Sequence, residues 1–364
     1  MRHAARHSGN PCPDSHARPT ALDLFSGCGG LTLGMKLAGF RVLAAVEIDP
    51  LSVESYSLNH SDTRVWEADI RQVDPAEVMA ELRLKPGELD LLAGCPPCQG
   101  FSTIRTKKRT TSVEDARNVL VFEFLRFARV FRPKTVILEN VPGLTSYEGF
   151  RAVVLGLEEL GLQSDFRVLD AADFGVPQRR RRMVLLGSTY GPVAFPTPDS
   201  QRITVRDVIG SMPKPGKSED PLHRVRELRC ERIRRLIASV PKDGGSRDAL
   251  PERMKLACHK RASGFGDVYG RMAWDDVAPT ITGGCVNPSK GRFLHPTEDR
   301  AITPREAAIL QSFPSKYKFS LRCGKYGVAR LIGNAFPPEF ARRHAAMAAA
   351  HLAAQGRNRD VSKR

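Results

Sequence analysis

Apolar residues in the first half of the chain follow two alternating patterns. Short apolar runs, of the length that buried strands have, occur at residues 22–25, 42–46, 89–93, 135–138, 166–169 and 183–186. Longer apolar or amphipathic segments, which predict helices, occur at residues 31–38, 51–58, 119–131 and 150–160. Strands and helices that alternate at this spacing form βαβ units. The pattern therefore predicts an α/β fold with a mainly parallel sheet covered on both faces.

The pattern becomes irregular near residue 191. Residues 191–303 are rich in Pro, Gly, Arg and Lys, and residues 231–239 are the one clear helical segment among them. Loops rather than periodic elements would set the shape of this part. We therefore expect a second, irregular domain after the α/β domain.

The last part of the chain becomes helical again. A helix is predicted for residues 304–311, because Thr303 can cap the first turn and Pro304 suits that turn. An alanine-rich helix is predicted for residues 341–354, with a polar tail over residues 355–364. Residues 1–18 also have no periodicity and are expected to form a disordered tail.

Charge changes this picture more than composition does. Hydrophobic residues make up 41% of the 364 residues and charged residues 26%, as in ordinary soluble proteins. The formal charge of +16 and the pI near 9.8 favour a polyanionic partner, and nucleic acid is the first candidate. A surface that is basic only for solubility is the alternative.

The sequence contains no secretory signal and no apolar stretch of membrane-spanning length. Its thinly spread cysteines suggest free thiols. We therefore expect a cytoplasmic protein with no membrane contact.

A glycine-rich turn follows the first predicted strand. Residues 23–30 read Asp-Leu-Phe-Ser-Gly-Cys-Gly-Gly and run into a helix, whose free N–H groups a ligand could approach. Glu47 ends the next strand, where a carboxylate normally meets the hydroxyls of a nucleotide ribose. Thr32 stands where a dinucleotide fingerprint has its third glycine, which favours an adenosyl group without phosphates. A tight turn that binds nothing is the alternative.

A thiol follows another central strand. Residues 94–102 read Gly-Cys-Pro-Pro-Cys-Gln-Gly-Phe-Ser, which places Cys98 at the edge where open α/β sheets carry out their chemistry. Cys95 and Cys98 could instead be a redox pair or half of a zinc site. Because the chain has no second Cys-x-x-Cys, we expect no metal.

Two further segments carry charged side chains beside apolar strands. Glu139 ends a very apolar strand, where partial desolvation favours the protonated form of a carboxyl group and suits a proton donor. A structural carboxylate that caps the next turn is the alternative. Four arginines at residues 179–182 precede another strand, and alternation would send Arg180 and Arg182 to one face. A solvated basic run is the alternative there.

Five motifs now stand in order: residues 23–30, residues 96–102 (Pro-Pro-Cys-Gln-Gly-Phe-Ser), residues 139–141 (Glu-Asn-Val), residues 178–182 (Gln-Arg-Arg-Arg-Arg) and residues 333–338 (Gly-Asn-Ala-Phe-Pro-Pro). In order and spacing the chain resembles the cytosine-C5 DNA methyltransferases of the bacterial modification type. The resemblance extends from residue 20 to about residue 350, and residues 191–275 match only as a variable segment. It implies a Rossmann-like, S-adenosylmethionine-dependent methyltransferase fold. The catalytic domain would be residues 19–190 plus 322–354, and the target-recognition domain residues 191–321.

The same resemblance implies the site residues. The site for S-adenosyl-L-methionine would be formed by Phe25, Gly27, Gly29, Glu47, Ile48, Asp69, Pro96 and Asn334. Glu47 would bind the ribose, Ile48 would pack on the adenine, and Asp69 would bind the adenine amino group. The catalytic residues would be Cys98, Gln99, Glu139, Arg180 and Arg182.

These roles agree with the chemistry of cytosine. Its C5 is a poor nucleophile, so Cys98 would first add to C6 while Glu139 hydrogen-bonds N3 and the exocyclic amine. Arg182 would hold O2, and Arg180 would support the site and nearby phosphates. Because C6 is inaccessible in a stacked duplex, the base must be flipped out of double-stranded DNA. The basic loop at residues 103–118 would close over that DNA.

Two other functions remain open. One branch of the family methylates transfer RNA, although its Cys-Phe-Thr signature is absent here. A catalytically dead DNA-binding module is disfavoured because Cys98 and Glu139 are both present. We expect a monomer. The recognised DNA sequence, the base that removes the C5 proton, a companion restriction endonuclease and the role of Cys95 are left open.

Overall fold

The computed structural model describes residues 18–97, 120–225, 227–256 and 266–361. Seven strands form one sheet in the order β3-β2-β1-β4-β5-β7-β6. Their bounds are Thr20–Leu24 (β1), Arg41–Glu47 (β2), Arg64–Glu67 (β3), Leu91–Gly94 (β4), Thr135–Asn140 (β5), Gln163–Asp170 (β6) and Arg181–Ser188 (β7). Strands β1 to β5 pair in parallel, whereas β7 pairs antiparallel with both β5 and β6. The predicted α/β class and mainly parallel sheet are confirmed.

Helices cover both faces of this sheet and continue into the second half of the chain. Their bounds are Gly30–Leu37 (α1), Pro50–Ser57 (α2), Pro75–Glu81 (α3), Leu120–Phe131 (α4), Glu148–Glu158 (α5), Val205–Ile209 (α6), Glu231–Ser239 (α7), Pro304–Leu310 (α8), Gly324–Asn334 (α9) and Pro338–Val361 (α10). The sequence pattern missed β3, α3, α6 and α9. No helix in the described ranges is long and apolar enough to cross a membrane.

The strand order places the candidate motifs together. It reverses between β1 and β4, so the loops after these two strands diverge and leave a crevice at the carboxyl edge of the sheet. The glycine-rich turn follows β1 and Cys95 follows β4, which puts both beside this crevice. The apolar strands are buried on both faces, as a parallel sheet requires.

Two apolar clusters hold the helices on the sheet. On one face Phe124, Phe127 and Phe131 of α4 pack with Leu22 and Leu24 of β1. Removing one such aromatic side chain typically costs about 3–5 kcal/mol. The other cluster joins α1 to α10, and this contact holds the C-terminal helix against the α/β sheet.

Helix α10 packs closely on α1 and is longer than predicted. Gly34 allows its close approach to α1, because a Cβ there would overlap Ala341. The helix continues to Val361, so most of the segment predicted as a polar tail from residue 355 is helical. Good helix formers such as Gln355 favour this continuation, although Gly356 and other poor helix formers oppose it there.

The helices that the structure describes in the predicted irregular region are short, and buried arginines organise this region. Arg271 is fully buried, and its guanidinium donates hydrogen bonds to the carbonyl oxygens of Val240, His295, Ile237 and Glu298. These bonds satisfy backbone carbonyls of the loops and of the C-terminal end of α7. The division into two domains with residues 322–354 in the first stays a prediction.

Candidate active site

The glycine-rich turn after β1 requires unusual backbone conformations. Phe25, Gly27 and Gly29 all have positive φ values, of 60°, 54° and 93°. A Cβ at Gly29 would lie 2.6 Å from Nε2 of His60 and 2.7 Å from the hydroxyl of Tyr317. Glycine is therefore required at residue 29 by both backbone and space. The turn places Gly27 and Cys28 at the wall of the crevice.

Glu47, at the end of β2, is bound to this turn. Its Oε2 accepts a hydrogen bond from the N–H of Gly27 at 2.7 Å, and its Oε1 accepts from Ile48 and Asp49 at 3.0 and 2.8 Å. Burial raises the pKa of Glu47 despite these three donors. A carboxylate has about four acceptor positions, so Oε2 can accept one more bond, from a ligand hydroxyl.

Ile48 and Asp69 lie at the same end of the crevice. The side chain of Ile48 is 60% exposed, which is unusual for isoleucine and leaves an apolar surface for a flat ligand. The carboxylate of Asp69 accepts hydrogen bonds from the backbone N–H and the Nε of Arg71, each at 3.0 Å. A ligand amino group at Asp69 would therefore share this carboxylate with Arg71.

Glu139 and Arg182 meet at the other end. Glu139 belongs to β5 and is 7% exposed, and its Oε1 lies 2.9 Å from Nε of Arg182 in β7. Arg182 is partly buried, whereas Arg179 and Arg181 point to solvent, so the predicted alternation along the arginine run is confirmed. The sequence predicted that Glu139 is enclosed, but it did not predict this ion pair.

Arg180 supports the site through hydrogen bonds to the backbone. Its guanidinium donates hydrogen bonds to the carbonyl oxygens of Ile281, Gly333 and Ala335 at 3.0, 3.0 and 3.1 Å. These bonds tie the C-terminal end of α9, which carries Asn334, to the segment around Ile281. Because Arg180 is only 3% exposed, the expected contact with DNA phosphates does not fit this conformation. Its contacts are those of a positioning residue.

A single cavity of about 770 Å³ joins the two ends. Ten of the predicted site residues line it, namely Phe25, Gly27, Glu47, Ile48, Asp69, Pro96, Glu139, Arg180, Arg182 and Asn334. Gly29 is not among the lining residues and acts through the shape of the turn. Cys98, Gln99 and the loop at residues 103–118 lie outside the described residues.

Two side chains at the cavity had no assigned role. Asn140, next to Glu139, donates a hydrogen bond from Nδ2 to the carbonyl oxygen of Pro96 at 2.9 Å and so ties the loop after β4 to β5. Arg330 on α9 lies 3.1 Å from the carboxylate of Asp49 and joins the two walls of the cavity. The position of Asn140 beside Glu139 was a usable signal, whereas no sequence signal marked Arg330. Within the described ranges, no group of three or more His, Cys, Asp or Glu side chains could hold a metal ion.

Comparison with known proteins gives a consistent result. A model of the family described as C-5 cytosine-specific DNA methylase matches residues 20–348. Type II methylase M.HgiDII of Herpetosiphon aurantiacus is 41% identical over 333 residues, which cover 87% of this chain and 91% of that protein. Type II methyltransferase M1.HphI of Haemophilus parahaemolyticus is 34% identical, and the match covers 88% and 83% of the two chains.

Solved structures agree on the fold. A protein encoded within an E. coli prophage and assigned as a DNA modification methyltransferase superposes with a TM-score of 0.71 at 23% identity, covering 90% of this chain and 98% of its own. The Dnmt2 methyltransferase of S. pombe superposes with a TM-score of 0.59 at 20% identity, covering 92% and 99%. At these identities the similarity concerns the fold alone.

Proposed function

The chain belongs to the C-5 cytosine-specific DNA methylase family, and from this premise we propose how it works. It transfers a methyl group from S-adenosylmethionine to C5 of a cytosine that is flipped out of a specific duplex DNA sequence. A transient bond between Cys98 and C6 of the base makes the transfer possible. The enzyme acts as a monomer in the cytoplasm.

One observation carries this proposal: two chemically different sites share one cavity. Glu47 and Ile48 offer a buried carboxylate and an apolar surface at one end, and Glu139 and Arg182 offer an acid and a fork of donors at the other. The first end suits an adenosyl group and the second suits the polar edge of a pyrimidine. A methyl donor and a methyl acceptor would therefore meet within one cavity.

The first end fits S-adenosylmethionine. Oε2 of Glu47 can accept a bond from a ribose hydroxyl, and Ile48 can pack on adenine. The turn lacks the third glycine of a pyrophosphate site, since Thr32 stands there and its hydroxyl bonds Asp23 at 2.5 Å. S-adenosylmethionine supplies an electrophilic methyl group on a sulfonium ion.

At the second end, residues of the chain make cytosine reactive. The thiolate of Cys98 adds to C6 while Glu139 hydrogen-bonds N3 and transfers a proton to it, which leaves an electron-rich C5. Arg182, bonded to Glu139, donates to O2 of the base. C5 takes up the methyl group and leaves S-adenosylhomocysteine. A base then removes the C5 proton, elimination restores the Cys98 thiolate, and N3 returns its proton to Glu139. Asn140 and Arg180 hold the walls in place.

The DNA partner follows from family and charge. A net charge of +16 attracts the phosphate backbone, and the target base has to leave the stack because C6 is buried in a duplex. The relatives named Type II methylases support a role as the modification enzyme of a restriction–modification pair, with a companion endonuclease for the same site.

A direct assay tests this function. The purified protein is incubated with methyl-labelled S-adenosylmethionine and either duplex DNA or transfer RNA, and DNA from expressing cells is sequenced after bisulfite treatment. We expect label on duplex DNA only, and protected cytosines within one recurring sequence. Label on transfer RNA alone, or no protected cytosine, would contradict the proposal.

A further inference from the structure

Tyr317 lies in the segment after α8, yet its side chain reaches the glycine-rich turn after β1. Its hydroxyl donates a hydrogen bond to the carbonyl oxygen of Cys28 at 2.5 Å. The phenol ring is buried and packs on the rings of Phe313 and Phe319, with centroids 4.7 and 5.2 Å away. Tyr317 is therefore held by its own segment and joins that segment to a turn at the methyl-donor end of the cavity.

The buried side chain of His60 fixes the direction of this hydrogen bond. Its Nε2 lies 3.0 Å from the hydroxyl oxygen of Tyr317. A carbonyl oxygen can only accept, so the hydroxyl proton points to Cys28 and the hydroxyl oxygen accepts from His60. His60 consequently carries a proton on Nε2. The same two side chains occupy the space that a Cβ at Gly29 would need.

The bond from Tyr317 restrains the peptide group between Cys28 and Gly29. The carbonyl of that group is held by Tyr317, and its N–H donates to the carbonyl oxygen of Ser26 at 3.0 Å. Gly27 and Gly29 have positive φ values on either side of Cys28, so this backbone depends on its hydrogen bonds to keep one conformation. Gly27 and Cys28 line the cavity, so the orientation of this peptide group shapes the cavity wall.

We propose that Tyr317 is a positioning residue whose hydroxyl, oriented by His60, keeps the glycine-rich turn in the conformation that binds S-adenosylmethionine. The inference rests on the proposed function, because it assigns this turn to the methyl donor. Without the hydroxyl, the carbonyl of Cys28 loses this partner and its peptide group can rotate. Only the fraction of molecules with the correct turn then binds the donor, so the affinity falls by that fraction.

Binding and kinetics of two variants test the role. Tyr317→Phe removes only the hydroxyl. Tyr56→Phe is the matched control, because Tyr56 is also buried but its hydroxyl bonds the side chain of Thr32 at 2.9 Å, not the backbone of the turn. We expect Tyr317→Phe to lower the affinity for S-adenosylmethionine, measured by calorimetry, about three- to tenfold, as loss of one neutral hydrogen bond would. Its KM for S-adenosylmethionine should rise in step, while kcat and KM for DNA stay unchanged.

The control separates positioning from a role in folding alone. Urea unfolding of Tyr56→Phe should show lower stability, because a buried hydroxyl has lost its partner, but its affinity for S-adenosylmethionine should equal that of the wild type. Wild-type affinity in Tyr317→Phe, or an equal loss of affinity in both variants, would overturn the inference.

A nuclear magnetic resonance measurement tests the contact without any activity. The chain has two Cys-Gly dipeptides, at residues 28–29 and 323–324. Protein labelled with ¹³C at the cysteine carbonyls and ¹⁵N in glycine therefore gives two carbonyl–amide correlation peaks. The peak from Cys323 is identified by its loss in Cys323→Ser and serves as an internal reference.

We expect the carbonyl resonance of Cys28 to move upfield in Tyr317→Phe, because hydrogen bonding shifts a carbonyl carbon downfield. The peak from Cys323 should stay in place. An unmoved Cys28 peak would overturn the inference. If the wild type itself does not bind S-adenosylmethionine, the proposed function fails, while the position of the Cys28 peak still decides the contact.

Discussion

Nε of Arg182 lies 2.9 Å from Oε1 of Glu139, and the two side chains are only 15% and 9% exposed. The pair joins the ends of two antiparallel strands, β5 and β7, above the central crevice. A charge-assisted bond in this partly buried position fixes the carboxyl group more firmly than an exposed pair would. The arrangement holds an acid and a donor fork side by side, ready for the polar edge of one base.

Replacing Glu139 with glutamine should separate binding from chemistry. Glutamine keeps the shape but cannot transfer a proton to N3, so we expect kcat to fall by about a hundredfold or more. Affinity for S-adenosylmethionine, measured by calorimetry, should stay within twofold because Glu47 is at the other end of the cavity. Glu158→Gln, at an exposed position of α5, is the control and should behave as the wild type. An active Glu139→Gln enzyme would refute the assigned role.

Glu47 allows the methyl-donor end to be tested alone. In Glu47→Gln an N–H group replaces one of two oxygens that accept backbone hydrogen bonds. We expect affinity for S-adenosylmethionine to fall about tenfold to a hundredfold, as loss of bonds to a charged acceptor would. Titration calorimetry measures this directly. Glu67→Gln, on the neighbouring strand at an exposed position, should leave the affinity unchanged, and equal affinities in both variants would argue against a ribose contact.

Gly29 and Gly39 form a matched pair. Their φ values are 93° and 96°, but a Cβ at Gly29 would overlap His60 and Tyr317, whereas one at Gly39 meets nothing within 4 Å. In Gly39→Ala the unfolding free energy should therefore fall by only about 1–2 kcal/mol, the cost of a side chain on a left-handed backbone. Gly29→Ala should lose about 1–3 kcal/mol more through overpacking. Urea unfolding measures both, and similar losses would show that the turn adapts to a side chain.

Because its carboxyl group is buried, Asp23 is expected to make the folded protein less stable as the pH rises. Its carboxyl group is fully buried in β1 below the glycine-rich turn, and burial raises its pKa from 3.8 to about 7. Between these two values the folded protein keeps a proton that the unfolded chain has released. The contribution of Asp23 is therefore fully present below pH 4 and is lost as the pH rises through 7.

The size of this effect is measured as the difference in unfolding free energy between the wild type and Asp23→Asn. Relative to Asp23→Asn, the wild type should lose about 2–3 kcal/mol of unfolding free energy between pH 5 and pH 8. Asp275→Asn is the control, because the exposed Asp275 beside Arg206 has a lowered pKa and stays ionised over this range. A constant difference between the wild type and Asp23→Asn would mean that Asp23 is already ionised at pH 5.

Local patterns account for most of the fold and for one end of the site. Thr303 and Pro304 placed the start of α8 correctly, and the structure adds the reciprocal bond that the Glu306 carboxylate accepts from the N–H of Thr303. Alternation along an extended strand was enough to separate Arg182 from its exposed neighbours. Glu47 could be placed because its distance from Gly27 is set by one βαβ unit.

Non-local contacts could not be predicted in the same way. The pairing of Glu139 with Arg182 depends on β7 lying antiparallel to β5, and residue spacing does not reveal strand direction. Arg180 was expected to support the site and nearby phosphates, but spacing did not reveal that it binds three carbonyl oxygens from distant segments. Strand β3 was not predicted because its four residues alternate weakly and lie at a sheet edge. The ion pair and the contacts of Arg180 both depend on which distant segments the fold brings together.

The most direct test of the account is a covalent trap at Cys98. Duplex DNA that carries the recognition sequence with 5-fluorocytosine at the target position is incubated with the enzyme and S-adenosylmethionine. Fluorine at C5 cannot leave as a cation, so elimination is blocked after methyl transfer. We predict an adduct that survives denaturation, maps to Cys98 by mass spectrometry and is absent in Cys98→Ser. A folded enzyme that methylates ordinary DNA but never forms this adduct would contradict the account.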